Sequence, residues 1–436
     1  MSLFEGQQVE LTIEKPASGG RMIARHLGQV VLVRGAIPGE RVRAWIERAD
    51  KRMAYAVTRE VIEPSPDRRS TGPEGPEKND PLCGGMLYSH IAYARQLAIK
   101  SDVIRDAFGR LGRYPIDHPI DVAGSPEEGY RMRARFHVHG ARAGFYREGT
   151  HQLCDAGATM QLRDGTVAAV ARLAAALDRE AAGDVVSITI AENIAGDERA
   201  AHLELAPRAR ITGEGLARAA ADAQLAGLSA MEPGMGEWRT AGDPAVSDPL
   251  SALAGDRAGD GTLRRHAASF FQGNRYLLAP LVQAVAAAVP DTGEVLDLYA
   301  GVGLFAVALA ALGRLEVTAV EGDRVSGADL RENARPHAPR LHAHVASVEA
   351  HVASRSRGRR PSTLVVDPPR TGLSKEAAES IVRLAAPRIV YVSCDPPTLA
   401  RDARRLLDAG YTLDSLRAFD LFPQTPHVEV LAIWSR

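Results

Sequence analysis

The chain alternates between two hydrophobic periods, and the changeovers divide it. Val9 to Glu14 alternates apolar and polar with period two, the signature of a half-buried strand. Gln29 to Val33, Val42 to Ile46 and Ala54 to Ile62 are further strands. Gly19-Gly20 and Gly35 to Glu40 mark turns. About five short strands in residues 1–62 predict a small, OB-like β-barrel. Residues 63–82 (EPSPDRRSTGPEGPEKNDPL) are rich in proline, glycine and charge and read as a linker. Ala92 to Leu111 then carries Leu97, Val103, Ile104, Ala107, Phe108 and Leu111 at helical spacing.

From Tyr130 to Tyr146 period two returns as an antiparallel hairpin. Tyr130, Met132, Ala134, Phe136 and Val138 point one way; Arg131, Arg133, Arg135, His137 and His139 point the other. Three arginines in register suit a phosphate platform, or equally a solvated face. Thr166 to Glu180 reads as an amphipathic helix, and Val185 to Ile190 and Ala200 to Leu205 as strands. Gly242 to Gly261 reads as loop, which places a boundary near 262. Beyond it, compact apolar runs (Glu294–Tyr299, Val317–Val320, Thr363–Val366, Ile389–Val392) alternate with helical segments, the pattern of an α/β unit with a parallel sheet.

Composition changes this picture little. The 436 residues carry a formal net charge of -1 and are 45% hydrophobic and 25% charged, so nucleic-acid binding would need a local patch. Arg21, Arg25, Arg34, Arg41, Arg43, Lys51 and Arg52 could line one side of the barrel, or be merely a solvated basic surface. Three widely spaced cysteines predict no disulfide framework. No apolar run approaches the ~20 residues needed to span a bilayer, and the N-terminus lacks a signal-peptide core. A reducing, cytoplasmic location is expected.

Candidate chemistry collects at the ends of the apolar runs, where open α/β sheets place their ligands. After Glu294–Tyr299 comes Ala300-Gly301-Val302-Gly303-Leu304-Phe305-Ala306, and Glu321 follows Gly301 by 20 positions. The glycines let backbone approach a ligand, and the acid suits ribose hydroxyls. A nicotinamide cofactor and S-adenosylmethionine fit equally. Thr363–Val366 ends in Asp367-Pro368-Pro369-Arg370, a rigid loop that holds a carboxylate where a planar base could offer an N–H. Ile389–Val392 ends in Ser393-Cys394-Asp395-Pro396-Pro397. Glu429 sits among apolar neighbours near a terminal strand, where its pKa would be raised, as suits a base. A thiolate, a base and a group gripping a base edge are what carbon-5 alkylation of uracil requires. Addition of the thiolate to carbon-6 makes carbon-5 nucleophilic, and a base must then remove the carbon-5 proton.

Phe270–Asn274 (FFQGN), Asp297–Phe305 (DLYAGVGLF), Asp367–Gly372 (DPPRTG), Val392–Asp402 (VSCDPPTLARD) and Phe422–Glu429 (FPQTPHVE) together resemble the RNA 5-methyluridine (uracil-C5) methyltransferase family. Val30–Glu40 resembles its TRAM domain. Cys83–Met86 with His90, and Tyr130–Phe136, resemble its central RNA-binding part, so the likeness is nearly full length. It implies a Rossmann-like S-adenosylmethionine-dependent methyltransferase domain (263–436), an N-terminal TRAM/OB-like barrel (1–62), a linker (63–82) and a central α+β RNA-binding domain (83–262). The helix near 92–111 would then pack on the catalytic part. It further implies Cys394 as nucleophile and Glu429 as proton acceptor. Gln272, Tyr299, Gly301, Gly303, Glu321 and Asp367 would meet the methyl donor, and Asp367, Arg131, Arg133 and Arg135 the RNA.

Structured RNA is the implied partner, ribosomal (23S) RNA ahead of transfer RNA, with no membrane and no obligate protein partner. Family members often bind a [4Fe-4S] cluster. Here only Cys83 and Cys154 match its ligands, while Glu77 and Met86 stand at the other two, so no cluster and no metal are expected. Ala300 stands where a cysteine is common. Leu304 replaces a common donor contact, at a cost of about 1 kcal/mol. Asp395 replaces a frequent Asn and would raise the Cys394 pKa. Cytosine-C5 methylation, a nicotinamide oxidoreductase and a non-catalytic RNA-binding protein are the alternatives. The second leaves D-P-P-R and S-C-D-P unexplained.

Overall fold

A computed structural model describes residues 3–69, 82–181, 184–209, 211–231, 238–314, 316–355 and 360–436. Most of the expected linker, Glu77 included, lies outside the described residues.

The first strands are β1 (Gln8–Pro16), β2 (Met22–His26), β3 (Gln29–Arg34), β4 (Arg41–Ala49) and β5 (Met53–Glu63). They close into a barrel in the order β1-β2-β3-β5-β4. Alternation drives the closure. Val9, Leu11 and Ile13 face inward onto Val31, Val33, Val42, Ala44 and Ile46. The basic residues outside are largely paired in place: Arg21 and Arg34 with Glu47, Arg25 with Glu14, Arg41 with Glu63, and Arg43 with Glu10 and Glu60. Arg34 also reaches Glu148 at 2.8 Å, tying the barrel to the next unit.

That unit is a seven-stranded sheet of β7 (Arg133–His139), β8 (Arg142–Tyr146), β9 (Leu153–Cys154), β10 (Val185–Glu192), β11 (Arg199–Leu205), β12 (Gly227–Met231) and β13 (Trp238–Gly242), in the order β13-β12-β11-β10-β7-β8-β9. The helices Asp164–Ala181 and Gly213–Asp222 cover one face through Val170, Leu173, Leu177 and Leu216.

Two readings change here. Gly242–Gly261 is not a loop. Ala245–Pro249 (β14) pairs with Thr262–His266 (β15), and Leu250–Ala254 is a short helix. Val246, Leu250 and Leu253 are fully buried, and those few apolar positions outweigh the glycine-rich composition. Cys83 and Cys154, 71 positions apart, are joined in a disulfide with Cα atoms 5.8 Å apart, one bond where widely spaced cysteines predicted no disulfide framework. Spacing along the chain carried no sign of the bond, although the resemblance, by matching both to ligands of one cluster, implies that the fold brings them together.

The C-terminal half is built on eight strands: β6 (Val122–Ala123), β16 (Glu294–Leu298), β17 (Glu316–Glu321), β18 (Leu341–Val345), β19 (Thr363–Val366), β20 (Arg388–Ser393), β21 (Thr412–Phe419) and β22 (Glu429–Ser435). Their order is β18-β17-β16-β19-β20-β22-β21-β6. The first five are mutually parallel, and β22 runs antiparallel to β20. Val295, Val365, Val390 and Val392 join the core on one face; Leu296, Leu298, Leu364, Ile389 and Tyr391 join that on the other. Burial on both faces explains the continuous apolar runs of the sequence. This is the α/β, Rossmann-like fold expected, beside its N-terminal barrel.

The helix Tyr93–Ala107 continues into a single π-helical turn, Phe108–Gly112. Ile104, Ala107 and Phe108 enter the core of the eight-stranded sheet, and β6 pairs in parallel with β21 as its last strand. Lys100 on this helix forms a fully buried ion pair with Asp420. Among the described residues no helix is long and apolar enough to cross a membrane.

Candidate active site

Five chain segments end at one rim of the eight-stranded sheet. The parallel strands β16, β17, β19 and β20 deliver Tyr299 to Gly303, Glu321, Asp367 and Cys394 at or just past their C-terminal ends. The antiparallel β22 begins there with Glu429. Ser393 is paired with Val430, so Cys394 and Glu429 come out side by side.

Local sequence fixes each of these ends. Pro396 and Pro397 occupy the first turn of the helix Pro396–Asp408, where a missing N–H costs nothing. The prolines thus open this helix rather than merely ending the strand before it. The Asp395 carboxylate accepts from Thr398 N at 2.8 Å and caps that helix, a task an Asn would share. The Asp367 loop turns at Gly372 (φ 71°), where Gly372 N donates to Pro369 O at 2.7 Å. The loop is anchored to the Cys394 helix. Buried Asp402 accepts from Leu373 N and from the Tyr391 hydroxyl, both at 2.9 Å, and Arg401 donates to Thr371 O at 3.0 Å. The segment leading to Glu429 is pinned by Lys100–Asp420, by Gln424 N donating to Gln96 Oε1 at 3.0 Å, and by Asn274 Nδ2 donating to Leu421 O at 3.2 Å.

Carboxylates crowd this rim. Glu429 is buried, and its Oε1 has no hydrogen-bond partner among the described residues. Burial and then Asp367 push its pKa well above the carboxylate range, with Arg370 opposing. Burial also raises Asp367, to about 7; the Gln272 side chain hydrogen-bonded to it pulls back, and Glu321 adds to the rise. Cys394 is half-buried and is the one cysteine not in the disulfide. Burial, then Glu429 and Asp367, push its thiol up to about 12, against Arg370; the expected effect of Asp395 is present but last in rank. At neutral pH the sulfur is therefore a thiol, and a proton must leave it before it can act.

Across the rim lies the glycine turn after β16. Tyr299 (φ 64°), Gly301 (φ 57°) and Gly303 (φ 94°) all adopt left-handed backbone. A Cβ on Gly303 would meet Leu330 and Val307 at 2.9 Å, while one on Gly301 would meet nothing. Gly301 therefore borders open space. Glu321 Oε2 accepts from Gly301 N at 2.7 Å, which holds the carboxylate against the glycine turn. These residues fit a nucleoside with a ribose diol. Leu304 is buried at the start of the next helix and offers that space no polar atom.

The structure thus gathers Cys394, Glu429, Asp367, Gln272, Glu321, Tyr299, Gly301 and Gly303. It does not leave Arg131, Arg133 and Arg135 as one open platform, and that expectation is corrected. Arg131 donates to Gln161 Oε1 at 2.7 Å and lies over the Phe145 ring, and Arg133 is half-buried beneath Phe270. Arg135 is exposed but paired with Glu204. Alternation assigned them a face without saying what covers it. Two residues were passed over. Asp297 is fully buried, and its Oδ1 lacks a partner among the described residues. Burial, Asp367 and Glu321 raise its pKa well above the usual range, against a hydrogen bond from Ala306 N. Its sequence signal was an acid inside an apolar strand just before the glycine turn. Arg370 is the cation that favours ionisation of both Cys394 and Glu429.

Comparison with known proteins agrees with this geometry. Residues 358–436 match the tRNA (uracil-5-)-methyltransferase family model, and residues 3–58 match the TRAM domain. The chain is 32% identical to the 23S rRNA (uracil(1939)-C(5))-methyltransferase RlmD of Pseudomonas putida, over 98% of this chain and 94% of that one. It is also 32% identical to an uncharacterized RNA methyltransferase of Streptomyces avermitilis, over 98% of both. The Pyrococcus abyssi tRNA (uracil-54, C5)-methyltransferase, solved with S-adenosyl-L-homocysteine, shares the fold at a TM-score of 0.75 and 23% identity, over 97% of this chain and 99% of that one.

Proposed function

The chain belongs to the RNA (uracil-C5) methyltransferase family, and from that premise we propose that it methylates carbon-5 of a uridine in structured RNA, 23S ribosomal RNA ahead of transfer RNA, in the cytoplasm. The observation that carries this is Cys394 and Glu429 emerging side by side from β20 and β22, with Asp367 on the neighbouring strand end. S-adenosylmethionine, held by Gly301, Gly303, Glu321, Tyr299 and Gln272, supplies a sulfonium methyl group. The Cys394 thiol loses its proton to solvent and the thiolate adds to carbon-6 of the uracil ring; the displaced electron pair makes carbon-5 the nucleophile that takes the methyl as the methyl–sulfur bond of the donor breaks and S-adenosylhomocysteine leaves. Glu429 then accepts the proton from carbon-5, and the electron pair of that bond re-forms the ring double bond as the thiolate leaves.

Asp367, ionised, accepts the N3–H of uracil. Neutral cytosine offers a lone pair at N3 and is repelled, so the carboxylate favours uracil over the cytosine alternative. The test is methyl transfer from labelled donor into total RNA of cells lacking this protein, with nucleosides identified after digestion. Label in 5-methyluridine of 23S RNA supports the proposal; label in 5-methylcytidine, or none, contradicts it.

The acidic rim gives a second expectation. With its pKa raised to about 7, Asp367 goes from mostly protonated at pH 6 to mostly ionised at pH 8. A sulfonium cation favours the ionised form; the neutral thioether of S-adenosylhomocysteine does not. The affinity advantage of methyl donor over product should therefore grow from pH 6 to pH 8. The gain over that interval is about fivefold if the cation lowers that pKa by one unit and approaches about tenfold for any larger lowering. Calorimetry of both ligands at the two pH values measures it, and equal ratios would count against the placement of Asp367 beside the sulfonium.

A further inference from the structure

The segment 83–91 joins three parts of the molecule. Cys83 is bonded to Cys154, the last residue of β9, and β9 is the outermost strand of the seven-stranded sheet. Cys83 and Met86 pack in the core of that sheet, and Tyr88 and Ile91 in the core of the barrel. Tyr88 N donates to Gln424 O at 2.8 Å, in the loop that leads to Glu429. The fully buried Gln96 side chain secures this junction. Its Nε2 lies 3.1 Å from Tyr88 O, 2.9 Å from Ile91 O and 2.9 Å from Gln424 Oε1, and its Oε1 accepts from Gln424 N. Gln424 is a non-glycine residue in left-handed backbone (φ 66°), a conformation that persists only where its surroundings hold it. A second path runs from Gly84 O, which accepts from Gln161 Nε2 at 3.0 Å. The Tyr130 hydroxyl then lies 3.2 Å from Gln161 Oε1 and 3.4 Å from Pro423 O.

The bond at the head of this segment is placed to open. Both cysteines line a cavity of about 1000 Å³. Cys83 is buried, but Cys154 is only half-buried and can be reached. His139, Arg142, Arg147 and His151 line the same cavity against one acid, Asp155, among the described residues, and positive charge favours thiolates in exchange. Each sulfur also has a carbonyl oxygen to take a thiol hydrogen bond. Asp155 O lies 4.0 Å from Cys83 Sγ, and Phe145 O 3.5 Å from Cys154 Sγ. The reduced pair thus has a satisfied place in the same fold. Cysteine pairs that oxidise in a reducing compartment are transient or redox-sensing.

We propose that Cys83 and Cys154 form a reversible redox site that controls the alignment of the Glu429 segment through Tyr88, Gln96 and Gln424. This rests on the uracil-methylation reading above. A dithiol reductant opens the site. Its thiolate attacks Cys154 Sγ, the S–S bond breaks, and the electron pair goes to Cys83 Sγ, which takes a proton. The second thiol of the reductant then displaces Cys154, which takes the other proton, and the reductant leaves as its own disulfide. Exchange with a disulfide of that class runs the two steps backwards and closes the site. Oxidised, the segment 83–91 is fixed to the sheet and Glu429 is held where it accepts the carbon-5 proton. Reduced, the segment loosens and proton removal slows.

The test compares the oxidised full chain with the same chain reduced by dithiothreitol, so it needs no substitution. Mass after alkylation counts the thiols. Reduction should speed hydrogen exchange in peptides covering 420–430 by about fivefold or more, and should slow RNA methylation by a similar factor. The Cys394–RNA adduct should accumulate, while KM for S-adenosylmethionine stays put. Cys83→Ser/Cys154→Ser should match the reduced wild type and ignore dithiothreitol, which separates this pair from any effect of the reductant on Cys394. Equal exchange at 420–430 in the two states overturns the inference, as does equal turnover. Faster exchange spread evenly over the whole chain would make the bond a general brace and overturns it too. A wild-type protein that methylates no RNA in either state brings down the reading beneath, while the exchange comparison still decides whether the disulfide is coupled to this loop.

Discussion

Cys394→Ala is expected to abolish methyl transfer, lowering turnover by roughly 10⁴-fold or more. Carbon-5 of uracil is too weak a nucleophile to take the methyl group unaided, and no other thiol is available: Cys83 and Cys154 are spent in their disulfide. The substitution removes a half-buried side chain at a strand end, between Ser393 and the helix cap Asp395, so folding and donor binding should survive. Calorimetry with the donor separates loss of chemistry from loss of structure. A variant that binds donor and still turns over at a tenth of the wild-type rate would eliminate the covalent route.

Glu429→Gln is expected to leave the protein joined to its RNA. The amide keeps the shape of the carboxyl group but cannot take the carbon-5 proton. After methyl transfer, carbon-5 holds both a methyl and a hydrogen, and carbon-6 stays bonded to the Cys394 sulfur. Release should fall by about 10²- to 10⁴-fold, the usual contribution of a placed base. Removing this carboxyl also removes the group that ranks directly after burial in raising the Cys394 pKa, so the adduct should form at least as readily as in the wild type. A slow-migrating protein–RNA band on a denaturing gel reads the outcome. Lost turnover without that band would assign the proton to another group.

Much of this was readable from the chain because its physics is local. Period-two alternation specified the barrel, and apolar runs buried on both faces specified the parallel strands. A parallel sheet then puts the residues after each run on one rim, so the sequence itself groups Gly301, Glu321, Asp367 and Cys394. What stayed hidden depended on distant parts of the chain. Nothing in Val122–Ala123 announces an eighth strand, since its partner Ala418–Phe419 lies almost 300 positions on. The disulfide likewise spans 71 positions. The Arg131–Arg135 face looked open because alternation cannot show that Phe270 comes back over Arg133. Asp297 looked like one more strand residue, and only the surrounding acids, Asp367 and Glu321, give it a role at the rim.

The most direct measurement is capture of the covalent step on RNA containing 5-fluorouridine. With fluorine at carbon-5 there is no proton for Glu429 to accept, so methyl transfer should proceed and elimination should fail. The wild-type protein incubated with S-adenosylmethionine and this RNA is digested, and the modified peptide is sequenced by mass spectrometry. The expected result is one peptide in which Cys394 carries a 5-fluoro-5-methyl nucleotide, formed only when the methyl donor is present. A nucleotide attached at any other residue, or methylation that consumes the substrate with no adduct, would contradict Cys394 as the nucleophile.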